Sequence, residues 1–236
     1  MQAIARLEQT GFTARADILY IDLAGALDSP GELALLAARA EQRGDHFLAL
    51  RIGKVAAKRG IAVGALSHPV GAIPASAEIS GAGAALAYAI ARQESEFNVG
   101  AVSGANARGL LQLLPGTAKE MAKQNGLPYS LDRLTADAGY NATLGAAFLR
   151  DQLDNFDGSY VLTFVGYNAG PRRARQWMAR YGDPRGKELD VVVDWIERIP
   201  YTETRNYVQR VMENYEVYKM RLSGRYDIAK DLVRGR

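Results

Sequence analysis

The chain has 236 residues, 48% of them hydrophobic and 23% charged, with a formal net charge of +3. That is long enough for a sizeable core and too ordinary in composition for a disordered, collagen-like or coiled-coil chain, and the small positive charge without a dense Lys/Arg block argues against a nucleic-acid partner. There is no cysteine, and the two histidines, His46 and His68, lie well apart, so disulfides, Cys- or His-bound metal, thiol nucleophiles and His-dependent triads fall away. No metal and no cofactor is expected, and catalysis is left to carboxylates. No stretch approaches the ~20 apolar residues of an integral membrane segment. Residues 1–27 lack the basic start and apolar centre of a signal peptide.

In chain order the pattern reads as helix nearly throughout, and Val191-Val192-Val193 is too short and isolated to build a sheet, so the expected class is all-α. Residues 2–10 and 13–27 form a helix pair around Gly11. At Ser29-Pro30-Gly31-Glu32 the serine can cap, the proline suits the first helical position and the glutamate sits where a capping box needs it. The helix begun there carries Leu33, Leu36, Ala37 and Ala40 to Gly44. Asp45 then caps another, with Phe47, Leu50, Ile52 and Val55, ending at Gly60. Two α-helical hairpins in succession suggest the end of a solenoid. Between Gly60 and Gly83 the chain turns rich in Gly, Pro and Ser, and the residues before Pro69 and Pro74 are steered out of helix, which marks a boundary. A helical domain follows, with helices predicted at 84–95, 116–125, 137–155, 159–169, 171–181, 190–197 and 202–222. In the last of these Tyr207, Val211, Tyr215 and Tyr218 share one stripe, read as core.

The chemistry gathers around Glu94. Leu86 and Ile90 precede it by eight and four residues, so the carboxyl continues an apolar helical stripe while Glu96 does not. Burial there disfavours ionisation and lifts a Glu pKa from about 4.3 toward ~6–7, which suits a general acid. On periodicity alone a surface carboxylate near a helix end is the commoner outcome, and it is the neighbouring motifs that reverse the odds. Gln93-Glu94-Ser95 is followed by Ser103, by Gly109-Leu110-Leu111-Gln112 leading into Pro115-Gly116-Thr117-Ala118, and by Gly166-Tyr167-Asn168-Ala169-Gly170-Pro171. Ile199-Pro200-Tyr201-Thr202-Glu203-Thr204-Arg205-Asn206-Tyr207-Val208 comes last. In this order and spacing, over residues 80–222, the motifs resemble those of the soluble lytic transglycosylases, lysozyme-like enzymes that cut the glycan strands of bacterial peptidoglycan.

The resemblance implies a role for each position. Glu94 matches the sole catalytic acid and base. Ser95 and Ser103 match positions near it, although Ser95 reads equally well as a helix C-terminal residue and Ser103 as a turn residue. Gly109 would let backbone approach the ligand, and Gln112 can both donate to and accept from sugar hydroxyl and acetamido groups. The leucines between them read as core by their own chemistry; the matched motif carries Leu110 with it as a groove position. Leu114 stands where many members have methionine lining the groove, which keeps apolar contact and loses the thioether. Tyr167, Asn168 and Ala169 match groove positions beside the acid, with Gly166 where many members have alanine, a small change. Glu203 matches a groove-lining carboxylate, while a glutamate in the first turn of a helix is also favoured by the helix dipole. Arg172, Arg173, Arg175 and Arg180 are most simply a solvated helix face, with acidic peptide stems as the alternative contact.

Residues 1–62 are thus expected to be a helical-hairpin, superhelix-like segment, 63–83 a linker, 84–223 a lysozyme-like transglycosylase domain and 224–236 a C-terminal tail. The implied activity is non-hydrolytic cleavage of the MurNAc–GlcNAc β-1,4 bond to 1,6-anhydroMurNAc ends, with peptidoglycan strands as partner. It also implies a bacterial periplasmic or secreted location, and a chain that is a fragment or processed form of a longer protein. Two other readings stand beside it: a lysozyme-like hydrolase of peptidoglycan or chitin in which Glu203 or Asp137 positions water, and a non-catalytic peptidoglycan-binding module.

Overall fold

Side-chain caps fix the third and fourth helices of the computed structural model, which describes residues 1–236. The elements are α1 (Gln2–Gln9), α2 (Thr13–Ala26), α3 (Pro30–Gln42) and α4 (His46–Lys58). Ser29 Oγ accepts from the Glu32 N–H at 3.4 Å at the head of α3, and Asp45 Oδ1 accepts from Leu48 N–H at 2.9 Å at the head of α4. Both are the expected caps, each supplying an acceptor to an orphan N–H. α1 pairs with α2 and α3 with α4, and α2 packs on α4, so the hairpins stack. Tyr20, Leu33, Leu36, Leu48 and Ile52 fill the shared core. At its edge Glu8 accepts from Tyr20 Oη (2.8 Å), Arg39 (2.5 Å) and Arg43 (3.0 Å). Burial alone would raise the Glu8 pKa, but those donors hold it below its ordinary value. A turn of 3-10 helix at Gly64–Ser67 lies in the stretch read as linker.

The chain divides into two compact units, Met1–Ala72 with Glu96–Asn98, and Ile73–Ser95 with Val99–Arg236. The second contains α5 (Ala84–Ser95), α6 (Pro115–Gln124), α7 (Arg133–Ala136), α8 (Ala138–Asn155), α9 (Tyr160–Ala169), α10 (Pro171–Tyr181), α11 (Leu189–Glu197), α12 (Thr202–Ser223) and α13 (Ile228–Arg234). α5 runs against α12 and also meets α8, while α9 packs on α8, α10 and α12. Every residue from Leu86 to Ala91 is buried, so α5 is covered on all sides and not along one stripe. Tyr207, Val211, Tyr215 and Tyr218 are buried along α12, as their spacing predicts.

The all-α expectation holds: the only extended pairing is a pair of isolated bridges that join Arg108 to Val102 and to Leu113. Helix limits differ from the predicted ones by a residue or so, the ordinary scatter at frayed ends. Two short helices went unread. α7 is a single turn, too short for periodicity to register. α13 falls in the stretch expected to be a tail; its polar sequence hides that Asp231, 5% exposed, is buried against Lys219 of α12 by an ion pair. Asp227 Oδ1 accepts from Lys230 N–H at 3.1 Å to start it.

Candidate active site

Glu94 is the penultimate residue of α5, three residues beyond the all-buried run that ends at Ala91. The helix cannot continue past Ser95, because Glu96 and Phe97 both take left-handed backbone, with φ of +54° and +68°. Two successive residues without glycine's freedom in that region are strained, a condition that tends to persist where surroundings enforce it. The half-buried carboxyl therefore sits at the negative end of the α5 dipole, which itself disfavours a second negative charge.

Its only hydrogen bond comes from α12. Tyr207 Oη donates to Glu94 Oε1 at 2.7 Å. Burial raises the Glu94 pKa, the Tyr207 bond to the carboxylate works against that rise, and the charge of Glu203 adds to it, leaving the group at about 7. Tyr207, first by burial and then by the Glu94 and Tyr167 charges, is pushed far above the usual phenol value and stays a neutral donor. Tyr167 on α9 is raised in the same way by burial and by Glu94. The arrangement is one carboxyl, half protonated near neutral pH, among fixed phenols.

Around it lies the loop of residues 99–114. Ser95 Oγ turns inward, donating to the carbonyls of Ala91 (3.1 Å) and Leu110 (2.8 Å). The Tyr167 hydroxyl donates to the Leu111 carbonyl at 2.8 Å, and its ring tilts on Phe148 with centroids 5.1 Å apart. Leu110 and Leu111 are wholly buried, so their side chains are core and only their backbone groups meet the polar side chains. Gly109 has φ +75°, and a Cβ there would come within 2.0 Å of the Leu134 carbonyl and 2.3 Å of Asn141 Nδ2. The close approach it permits is to the protein's own α7 and α8. Gln112, itself at φ +46°, donates from Nε2 to Ala101 O (3.2 Å) and Gly109 O (2.9 Å). Leu114 is 48% exposed at the head of α6, an apolar surface open to a ligand. Ser103 Oγ accepts from Ala107 N–H at 3.0 Å and organises an exposed turn.

At the other motif, Asn168 and Ala169 are half-buried at the end of α9, and Asn168 Oδ1 accepts from Thr204 Oγ1 at 2.7 Å, which ties α9 to the start of α12. Glu203 is exposed in that first turn. Gly166 is not interchangeable with alanine here, since a Cβ would meet Gln152 Oε1 and the Phe156 ring at 2.7 Å. Asp137 is occupied elsewhere: it accepts from Tyr140 N–H at 2.9 Å and pairs with Arg133 at 2.9 Å, and these, the Tyr140 bond foremost, hold it below its ordinary pKa. The α10 arginines 172, 173, 175 and 180 are exposed, Arg173 lying 5.6 Å over the Tyr201 ring.

The structure thus ties Ser95 and Tyr167 to the successive carbonyls of Leu110 and Leu111, sets Tyr167 within reach of the Glu94 charge and joins Asn168 to Thr204. Sequence reading passed over Tyr207 as a partner of Glu94, because a tyrosine on a core stripe looks like packing. It passed over Asn141 entirely, because a polar residue inside a helix offers no local signal.

A family model described as the Transglycosylase SLT domain matches residues 72–189. The soluble lytic murein transglycosylase of Escherichia coli K12 is 38% identical over 133 residues, 56% of this chain and 20% of that protein. In three dimensions the chain is similar to the lytic transglycosylase Slt of Pseudomonas aeruginosa, solved as an inactive glutamate-to-glutamine mutant, with a TM-score of 0.76 and 32% identity over 99% of this chain and 37% of that one. It is also similar to the 70 kDa soluble lytic transglycosylase of Escherichia coli, with a TM-score of 0.73 and 26% identity over 93% of this chain and 35% of that one. The lysozyme-like helical architecture expected from the motifs is therefore shared with both. The chain spans about a fifth of the length of the curated relatives it matches.

Proposed function

The chain belongs to the Transglycosylase SLT domain family, and on that premise we propose that it is a peptidoglycan lytic transglycosylase with Glu94 as its single acid and base. The observation that carries this reading is a carboxyl with a pKa of about 7, bonded by a phenol that does not titrate in the working range. Such a group supplies both protonation states near neutral pH.

In the forward step the protonated Glu94 gives its proton to the oxygen between MurNAc C1 and GlcNAc O4. The C1–O4 bond breaks and GlcNAc leaves as the 4-hydroxyl. The Glu94 carboxylate then takes the proton of the MurNAc 6-hydroxyl as O6 bonds to C1, closing the 1,6-anhydro ring and restoring the acid. No water is consumed. The nucleophile is held in the same sugar, so proximity replaces the second carboxylate that ordinary glycosidases need. The sugar's acetamido group stabilises the oxocarbenium-like intermediate.

Gln112, Leu114, Asn168, Ala169 and Glu203 are assigned to the groove, Ser103 to its rim. Ser95, Gly109 and Leu110 serve by bracing the backbone on which Gln112 rides. Residues 84–223 would be the catalytic domain, joined by a linker at 63–83 to the hairpins of 1–62, with 224–236 after it. A periplasmic or secreted location in bacteria follows from the substrate, and no helix is long and apolar enough to cross a membrane. The hydrolase alternative draws on Glu203, whose charge reaches Glu94. Digestion of purified sacculi with mass analysis of the products separates the two: anhydromuramyl ends are expected, and reducing ends would overturn the transglycosylase reading. No release of either would leave a binding module.

A further inference from the structure

Asn141 lies on α8 with no exposed surface. Its Oδ1 accepts from Leu111 N–H at 2.9 Å, and its Nδ2 donates to the Arg108 carbonyl at 2.8 Å and the Leu134 carbonyl at 3.0 Å. An amide offers two donor hydrogens and one carbonyl, so each is used, and all go to backbone. Two of the bonds grip the loop at both ends of Arg108–Leu111, a stretch whose own backbone pairing consists of the Arg108 bridges and one turn bond from Gln112 N–H to the Gly109 carbonyl at 3.2 Å. The helix surface is shaped to match. Gly109 has no room for a Cβ because the Leu134 carbonyl and the Asn141 amide are there, and one turn on from Asn141 a Cβ at Gly145 would meet Leu111 Cδ2 at 2.5 Å. On its other side the same loop receives Ser95 from α5 and Tyr167 from α9.

We propose that Asn141 is a positioning residue for the reaction, holding the 108–113 loop so that Gln112 and the backbone bonded by Ser95 and Tyr167 keep their places beside Glu94. This rests on the reading of the chain as a lytic transglycosylase. Asn141 is fully buried and acts only through the loop. Gln112 is the residue that depends on it most. Its left-handed backbone is costly unless its surroundings enforce it, and in that conformation its amide reaches the Ala101 and Gly109 carbonyls. With the grip removed, Gln112 relaxes toward ordinary backbone and water gains access beneath the acid.

The test uses the full chain, with kcat and KM on purified glycan strands measured across pH, and helicity and thermal unfolding measured alongside. Asn141→Leu removes all three bonds at similar volume. The expected result is a folded protein whose kcat/KM falls about a hundredfold, the scale of a small misplacement of catalytic parts, with the alkaline limb of its pH profile moved to lower pH as Glu94 rehydrates. Asn141→Asp keeps the acceptor for Leu111 and, when ionised, has no donor for either carbonyl. Protonated, it regains one donor. Its activity relative to wild type should therefore recover as pH falls through the titration of the introduced carboxyl, which burial beside two carbonyl oxygens raises above the ordinary Asp value. A loss matching only the unfolded fraction, with the limb unmoved, overturns the proposal. Should Asn141→Leu fail to fold, the absence of that acid recovery in Asn141→Asp overturns it instead. Wild-type products with reducing ends would fail the transglycosylase reading alone, because the same rates still report on Asn141.

Discussion

Replacing Glu94 with glutamine should cut turnover by orders of magnitude and, in the same protein, raise stability in a pH-dependent way. A folded-state pKa lifted from 4.5 to about 7 means that the native protein keeps the proton where the unfolded chain releases it. Between those values the native state binds more protons, so stability falls as pH rises through the window and is lowest above 7. The gap, at about 1.4 kcal/mol per pH unit, sets a penalty of about 3 kcal/mol, and water entering the cleft reduces it to about 2 to 3 kcal/mol. Glutamine carries no such penalty, and its Oε1 can keep the bond from Tyr207. Thermal unfolding of Glu94→Gln and wild type should then coincide near pH 4 and separate above pH 7 by about 4 to 12 °C, at about 2 to 4 °C per kcal/mol for a chain of this size. Turnover should fall by about 10²–10⁴, the usual worth of a general acid. Equal unfolding temperatures at pH 8 would refute the account, and so would a difference as large at pH 4 as at pH 8.

Tyr207→Phe removes the one donor whose bond favours the ionised Glu94 carboxylate, so the acid should hold its proton longer and the alkaline limb of kcat/KM should move up by about one to two pH units, from a charged hydrogen bond of about 1.5 to 3 kcal/mol. A limb that stays or moves down would show that the phenol does not tune the acid. Gly166→Ala forces a methyl against Gln152 and Phe156, and chemical denaturation should show a loss of about 1 to 3 kcal/mol; an unchanged midpoint would mean that Phe156 yields at no cost.

Periodicity and caps made most helices legible, since Ser29, Asp45, Pro115 and Pro171 act within a turn of themselves. α13 was not, because its reason for existing is Lys219, twelve residues before Asp231 on another helix. The site divides in the same manner. Glu94 stands out from its helix and its motif, but a single apolar stripe is the wrong geometry for it, because α5 is buried on every side from Leu86 to Ala91. Leu110 and Gly109 travelled with their motif as groove positions and turn out to face Ser95, Leu134 and Asn141. Asn141 and Tyr207 were invisible as site residues because each acts on a partner dozens of positions away in sequence.

The pairing of a buried carboxyl with a neutral phenol has one more consequence. No cation contributes to the Glu94 pKa; burial and a hydrogen bond set it, and the only charge that does is the exposed Glu203. Dissolved ions screen exposed charges and leave desolvation untouched. The acid is therefore tuned by a mechanism that salt reaches only through Glu203, and added electrolyte should lower its pKa slightly while leaving most of the rise in place. An enzyme built this way keeps its working pH nearly constant when the ionic strength around it swings.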